Sequence, residues 1–360
     1  MDKQLTTDRQ KIFEIVRNKH CKAKITGMVL IFLLVVTALA SVNLGKADIS
    51  ITDVVSIVAG KIVGNAEYYS HIGDARVAIV WDVRLPRILA AIVVGCGLAV
   101  SGAVFQAILM NPLADSYTMG VSTGAAFGAS IAIYLNIFSV VGSNLPVTIF
   151  AFGGAMLALG IVLSISRVGG YVTPANLVIA GIIVSCVLSA AISLIKSISG
   201  EQVAAIVSWL IGSLSARNWG HVIFSFPVVI VCSALCCYYA EDLNIVSLGD
   251  REARALGVDS SKLRNIFLVC GAFITAVCVS ISGIIGFVGL IVPHMLRMIV
   301  GSDNKILIPL CGLMGGLLLL FADTFARSFM NVEVPVGVLT TLLGGPFFFY
   351  IFRIRNKNIQ

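Results

Sequence analysis

The chain has 360 residues, 58% of them hydrophobic and only 12% charged, with a mean hydropathy of +0.99. A soluble domain carries about 25% charged residues, so this composition excludes a soluble enzyme, a disordered chain and a collagen-like fibre. The net charge of +7 does not indicate nucleic-acid binding, because the basic residues gather at the ends: residues 1–24 hold seven Lys and Arg against three acids, and the tail carries Arg353, Arg355 and Lys357.

What remains is an all-α polytopic membrane protein. Outer-membrane strands alternate apolar and polar over about ten residues, a pattern this chain lacks. The sequence divides into a basic tail (1–24), one transmembrane domain (25–352) and a second basic tail (353–360). A spanning helix needs about 20 mostly apolar residues. The first candidate is 25–44, and the second is the charge-free run Ile88–Met110. Residues 116–166 are uncharged over 51 residues, long enough for two spans, with a turn-like break at Gly142-Ser143-Asn144-Leu145-Pro146. Further spans are expected at 175–197, 219–240, 265–282, 284–300, 306–327 and 335–352, the seventh and eighth separated at Gly283. That makes ten spans with both termini on one side, and the basic ends assign that side to the cytoplasm. Ala38-Leu39-Ala40 also resembles a signal-peptidase site, whose cleavage leaves nine spans. On the ten-span reading, residues 45–86 lie outside and are expected to form short surface helices; 198–218 also lies outside, with Trp209 suited to the interfacial belt. Gly95, Gly97 and Gly102, and Gly120, Gly124 and Gly128, place small residues along helix faces for close packing.

The chemistry of the chain is defined largely by what it lacks. There is no phosphate-binding G-x-x-x-x-G-K-[ST] loop, no Ser/His/Asp arrangement, no metal-ligand spacing and no mid-span carboxylate of the kind ion-coupled carriers use. The nine cysteines form no secreted disulfide pattern and sit mostly in apolar runs. No catalytic residue and no metal ligand is assigned. A carrier of this kind draws its energy from a partner, which must grip a cytoplasmic loop. Residues 241–264 are the candidate, with nine charges in 24 residues. They read as two short helices broken at Gly257, with Asp250 and Glu252 opening the first and Ser260 capping the next. On the other face Arg84 and Arg87 flank Pro86, against the charge rule for an outer position. Arg327 follows Asp323 by four residues, the spacing of a helical ion pair. Snorkelling to the interface and docking of an acidic partner both account for these arginines.

These residues resemble the FecCD-type permeases of bacterial ABC importers for iron-siderophores, haem and cobalamin. The resemblance is carried by Arg84-Leu85-Pro86-Arg87, Gln106, Asn111-Pro112-Leu113-Ala114-Asp115, Leu248-Gly249-Asp250 with Leu256-Gly257-Val258, Gly286-Phe287-Val288-Gly289-Leu290, Val292-Pro293-His294 and Gly345-Pro346. It implies a type II importer permease in the bacterial cytoplasmic membrane, paired with a second copy of itself or a related permease. It also implies two cytoplasmic ATPase subunits, which carry the ATP and Mg, and an extracytoplasmic substrate-binding protein. No cofactor is implied on this chain, and its only other partner is membrane lipid. On the resemblance Arg84, Arg87 and Arg327 pair with acids of the binding protein. Asn111, Leu113, Pro174 and Ala175 form the cytoplasmic gate. Leu248, Gly249, Asp250, Glu252, Ala253, Leu256 and Gly257 form the coupling loop. The implied cargo is a ferric siderophore, with haem or cobalamin as alternatives. From the residues alone, an ion-coupled secondary transporter and a channel are the competing classes.

Overall fold

A computed structural model describes residues 2–137 (apart from 46 and 48), 145–168, 171–328 and 333–357. The helices, in chain order, are α1 (Asp2–Asn43), α2 (Ile51–Val63), α3 (Asp74–Ala78), α4 (Leu85–Ile108), α5 (Val121–Tyr134), α6 (Leu145–Ser166), α7 (Pro174–Ile198) and α8 (Val203–Ile211). They continue as α9 (Trp219–Tyr238), α10 (Ala240–Val246), α11 (Asp250–Ala255), α12 (Ser260–Ser282), α13 (Val288–Val300), α14 (Asn304–Ser328) and α15 (Val336–Lys357). A two-residue hairpin pairs β1 (Arg167–Val168) with β2 (Tyr171–Val172). The tip of this hairpin and most of the break expected at 142–146 lie outside the described residues.

α4 is apolar all round, the signature of a helix with no solvent face, and it forms the centre of the bundle. In the span containing it, 83% of the apolar window is buried, against 17% for the span of α1. α4 packs on α14, α12, α13 and α9; α5, α6 and α7 form a second group that joins through α12; α1 lies outside α14. Backbones meet directly where glycines face each other. A Cβ added at Gly95 would sit 2.2 Å from the carbonyl oxygen of Gly315, and one at Gly102 would sit 2.1 Å from that of Gly289.

Between α3 and α4 the helix widens into a π-turn over Ile79–Arg84, with Leu85 donating to the carbonyl of Val80. The widening suits Pro86, which lacks an N–H and crowds the carbonyl four residues back. Residues 51–63, 66–69 and 74–78 are the short helices expected between the first two spans.

Each expected span contains a helix, but the helices differ in length. Seven helices among the described residues are long and apolar enough to cross a membrane; Val121–Tyr134 and Val288–Val300 are shorter. At about 1.5 Å per residue, α5 and α13 reach about 20 Å, short of a hydrocarbon core of about 30 Å. The chain on the Gly283 side of α13 is irregular over 283–287, with Phe287 at φ +68°. Part of its backbone is paired with the flanking helices: Gly283 N–H donates to Val279 O at 2.8 Å, Val288 N–H to Gly286 O at 2.9 Å, and Ile291 N–H to Phe287 O at 2.8 Å. Irregular backbone is tolerated in a membrane protein where protein covers it.

Candidate docking, gate and coupling sites

Arg84, Arg87 and Arg327 come together at one end of α4. With Glu333 they line a cavity of about 260 Å³. Their partners are internal. Arg84 is 4% exposed and caps the C-terminus of α1, donating through Nη1 to Val42 O at 2.5 Å and through Nη2 to Ala47 O at 2.7 Å. A cation is stabilised at a helix C-terminus by the unpaired carbonyls there. Arg87 instead turns to α14 and grips Asp323 with both prongs, Nε to Oδ2 and Nη2 to Oδ1, each at 2.9 Å. This corrects the expected Asp323–Arg327 pair: a bidentate contact from a neighbouring helix outcompetes a single pair along one helix. Arg327 donates to the carbonyl and hydroxyl of Ser41 at 2.5 and 2.7 Å. The fourth member, Glu333, accepts from Arg87 Nη1 at 2.5 Å and from the Ser215 hydroxyl at 2.6 Å. Burial pushes the Glu333 carboxyl up, but Ser215 and Arg87 outweigh it and hold the group below the usual carboxylate range.

At the opposite end of α4 the chain leaves the helix. Met110 takes φ +49°, Leu113 N–H donates to Asn111 Oδ1 at 3.0 Å, and Ala114 N–H to Asn111 O at 3.1 Å. Pro112 forbids helix at Asn111, and the Asn side chain closes the turn instead. Leu113 is left exposed. Asp115 then accepts from Tyr117 and Thr118 N–H, each at 3.0 Å, yet burial outweighs these bonds and holds its carboxyl above the usual range. Asn111 lines a cavity of about 420 Å³ with Gln106, Ser247, His294, Arg297 and Asn304. Gln106 faces a neighbouring helix: it accepts from Arg297 and donates to Gly289 O at 3.1 Å. His294 packs edge-on against Phe348, with centroids 6.3 Å apart. Pro174 and Ala175 do not line this cavity; they open α7, which Thr173 caps by accepting from Asn176 N–H.

The charged loop folds as the sequence suggests, with two differences. Asp250 and Glu252 open α11 after Gly249, and Gly257 sits at φ +78°, where a side chain is strained. The cap of α12, however, is Asp259, which accepts from Ser261 and Lys262 N–H at 3.1 Å, while Ser260 is buried. Asp250 does not stand free either. Its Oδ1 accepts from Arg264 Nη2 at 2.9 Å, and Arg264, 1% exposed, also donates to Val172 O at 3.0 Å. Burial raises the Asp250 carboxyl, but Arg264, Ser260 and Arg254 outweigh it and hold the group below its usual range. Leu248 and Leu256 are 64% and 62% exposed on either side of α11, whereas Ala253 is buried. Arg264 and Glu333 are the residues that sequence reading missed. Both are charges beside apolar segments, a visible signal, but their partners are distant in the chain.

The fold and these clusters define the class: a helical permease of the type II ABC importer kind. The chain belongs to the FecCD transport family, whose pattern it matches over residues 33–354. It is 42% identical over 277 residues to the cobalamin import permease BtuC of Halobacterium salinarum, covering 77% of this chain and 74% of that one. It is 36% identical to the hemin transport permease HmuU of Yersinia pestis, covering 89% and 93%. Among solved structures it resembles an inward-facing transporter described as of metal-chelate type, with a TM-score of 0.78 at 35% identity, over 90% of this chain and 97% of that chain. It is therefore a multi-pass membrane protein, the permease subunit of an ABC importer and not itself the catalytic subunit.

Proposed function

We propose that the chain imports an iron chelate, a ferric siderophore, across the bacterial cytoplasmic membrane as a dimer with a second permease copy. Two ATPase subunits supply the energy from ATP and Mg on the cytoplasmic side, where both termini lie, and a binding protein delivers the cargo from outside. The observation that carries this reading is the family match over 33–354, nearly the whole chain. The haem and metal-chelate relatives support an iron-bearing cargo; the cobalamin relative keeps a corrinoid as the alternative.

In this reading α11 is the element the ATPase grips. Leu248 and Leu256 offer it apolar contacts, and the acids Asp250 and Glu252 set the rim. A pull on α11 passes through Asp250 to the buried Arg264, and from there to Val172, two residues before Pro174 at the start of α7. Asn111 and Leu113 close the axis beside it, on a segment that no helix holds rigid. Arg84, Arg87 and Arg327 form the docking end, with Arg84 and Arg327 acting as struts under a surface that Arg87 and Glu333 present. Transport of labelled ferric siderophore, haem and cobalamin by the reconstituted complex tests the reading. Uptake of the siderophore alone is the expected result. ATP-driven uptake of cobalamin alone overturns the iron assignment, and uptake without ATPase overturns the importer reading.

A further inference from the structure

The short helix α2 is apolar on two sides. Val54, Ile57 and Gly60 are buried against the protein, and Gly60 leaves room for the Tyr69 ring, whose Cδ1 would lie 2.6 Å from an added Cβ. On the other side Ile51, Val55, Val58 and Ile62 recur at i, i+4, i+7 and i+11, the spacing of one helical face. Ile51, Val55 and Ile62 are 67%, 61% and 74% exposed, and Val58 between them is half-buried. A row of branched aliphatic side chains is unfavourable in water, so a partner must cover it.

The helix is capped at both ends. Ser50 accepts from Asp53 N–H at 3.1 Å, and Gly64 ends the helix at φ +76°. Its 13 residues reach about 20 Å, too short to cross a hydrocarbon core of about 30 Å. Such a helix can lie along a membrane surface but cannot span it.

The depth of α2 is set by Arg84. This side chain donates to the carbonyl of Val42 at the end of α1 and to that of Ala47 in the link to α2. The start of α2 is therefore clamped to the end of a membrane span. Little of the apolar window of α1 is buried, and its exposed Phe32, Val36 and Leu39 lead to Leu44, which is exposed as well. The apolar surface that α1 turns to lipid thus continues to the foot of α2.

Two further features choose lipid over a protein partner. The stripe holds only Ile and Val, whereas protein interfaces are anchored by Trp, Tyr and Arg. At the far end of the helix Lys61 Nζ lies 5.5 Å from the centroid of the Tyr69 ring, beside the exposed Tyr68. Tyrosines and lysines are the side chains that sit at headgroup level.

We propose that α2 is an interfacial helix, lying in the headgroup layer of the leaflet at the arginine end with Ile51, Val55 and Ile62 in the acyl boundary. Its partner is the lipid surface, and through Arg84 it holds the arginine cluster at that surface. The inference goes beyond the importer reading and does not rest on it.

The test uses the full chain in phosphatidylcholine nanodiscs. Cys21 and Cys186, the exposed native thiols, are replaced by serine, and an environment-sensitive fluorophore is attached at Val55→Cys, at Ile62→Cys or, as the water-facing control, at Glu67→Cys. The background without an added cysteine supplies the signal to subtract. Lipid spin-labelled near the headgroup should quench the Val55 and Ile62 labels about twofold or more over the Glu67 label, and aqueous iodide should show the reverse order. Val55→Glu should raise iodide access to the Ile62 label, because a carboxylate pulls the stripe out of the acyl boundary. Iodide quenching of the Val55 and Ile62 labels equal to that at Glu67 overturns the proposal. So do labels shielded from both quenchers, which mean that a second copy or another protein surface covers the stripe. Quenching requires no transport, so its failure leaves the importer reading untouched.

Discussion

Arg264 shows how one buried charge can organise a loop. It is among the largest fully buried side chains, and it spends its two terminal nitrogens on Asp250 and on the carbonyl of Val172. The charged character of residues 241–264 was legible from composition alone. The inward turn of Arg264 was not, because spacing does not reveal a partner 92 residues away. Replacing it with an apolar side chain, Arg264→Met, strands Asp250 and a backbone carbonyl together. Hydrogen bonds to charged groups are worth about 1.5–3 kcal/mol each. The variant should therefore unfold several degrees lower in a thermal scan of the detergent-purified chain. Asp250→Asn is the milder change, and it should reduce coupled transport with little loss of folded protein. The pair also sets a pH dependence. The Asp250 carboxyl is held below its ordinary value, so its contribution is complete above about pH 4 and is lost as pH falls through the lowered value. Acid unfolding of the native chain should show that limb, and Asp250→Asn should flatten it. An unchanged acid limb in the variant would remove Asp250 from the argument.

Helix packing is where the glycine pattern had its effect. The stripes on α4 and α5 marked faces for close approach, and α4 does meet α14 and α13 backbone to backbone at Gly95 and Gly102. Gly102→Val should force α4 away from Gly289, where even a Cβ would lie 2.1 Å from the carbonyl oxygen. Overpacking of this kind costs about 1–3 kcal/mol when the backbone can shift, and more when two backbones collide. Gly153→Ala on α6 meets nothing within 4 Å and should cost no stability, which makes it the matched control. Thermal midpoints of the two variants in detergent decide the matter, and equal midpoints would mean that the α4–α13 contact is not close in the membrane. The positions of the spans were legible because apolar runs of spanning length are rare in any other context. Their shortening was not. Residues 283–287, Gly-Ile-Ile-Gly-Phe, are as apolar as the helices they interrupt, whereas 111–118 announce their break through Asn111, Pro112 and Asp115. The sequence placed a break at Gly283, but nothing in it showed Phe287 taking a left-handed backbone.

Across the whole molecule the arginine end carries more internal bonding than its charge pattern suggested. The three arginines were legible as an anomaly of charge placement, and they do share one cavity. Their acids were the missing half: Asp323 was assigned to the wrong partner, and Glu333 to none. This changes which substitution tests docking. Arg84→Glu opens the junction between α1 and α4, and Arg87→Glu sets a second carboxylate against the nearly inaccessible Asp323, so a loss of docking in either has a structural cause available. Glu333 is different, since its side chain is 46% exposed and already fills one prong of Arg87 as an arriving acid would. Under the proposed docking, an acidic group on the binding protein would have to compete with it. Glu333→Gln weakens the competitor while leaving the Arg87–Asp323 pair intact. The gain is limited by solvent, because exposed pairs are worth about 0–1 kcal/mol, so docking should tighten by up to about fivefold. The freed charge should also make docking fall more steeply with salt. Because the native Glu333 carboxyl is held below its usual range, it stays ionised through the neutral region, and native docking should be flat from about pH 6 to 8. Binding-protein affinity measured against salt in nanodiscs checks all three statements. Docking that weakens in Glu333→Gln would mean that Glu333 shapes the surface the partner reads, and that Arg87 is not the group it seeks.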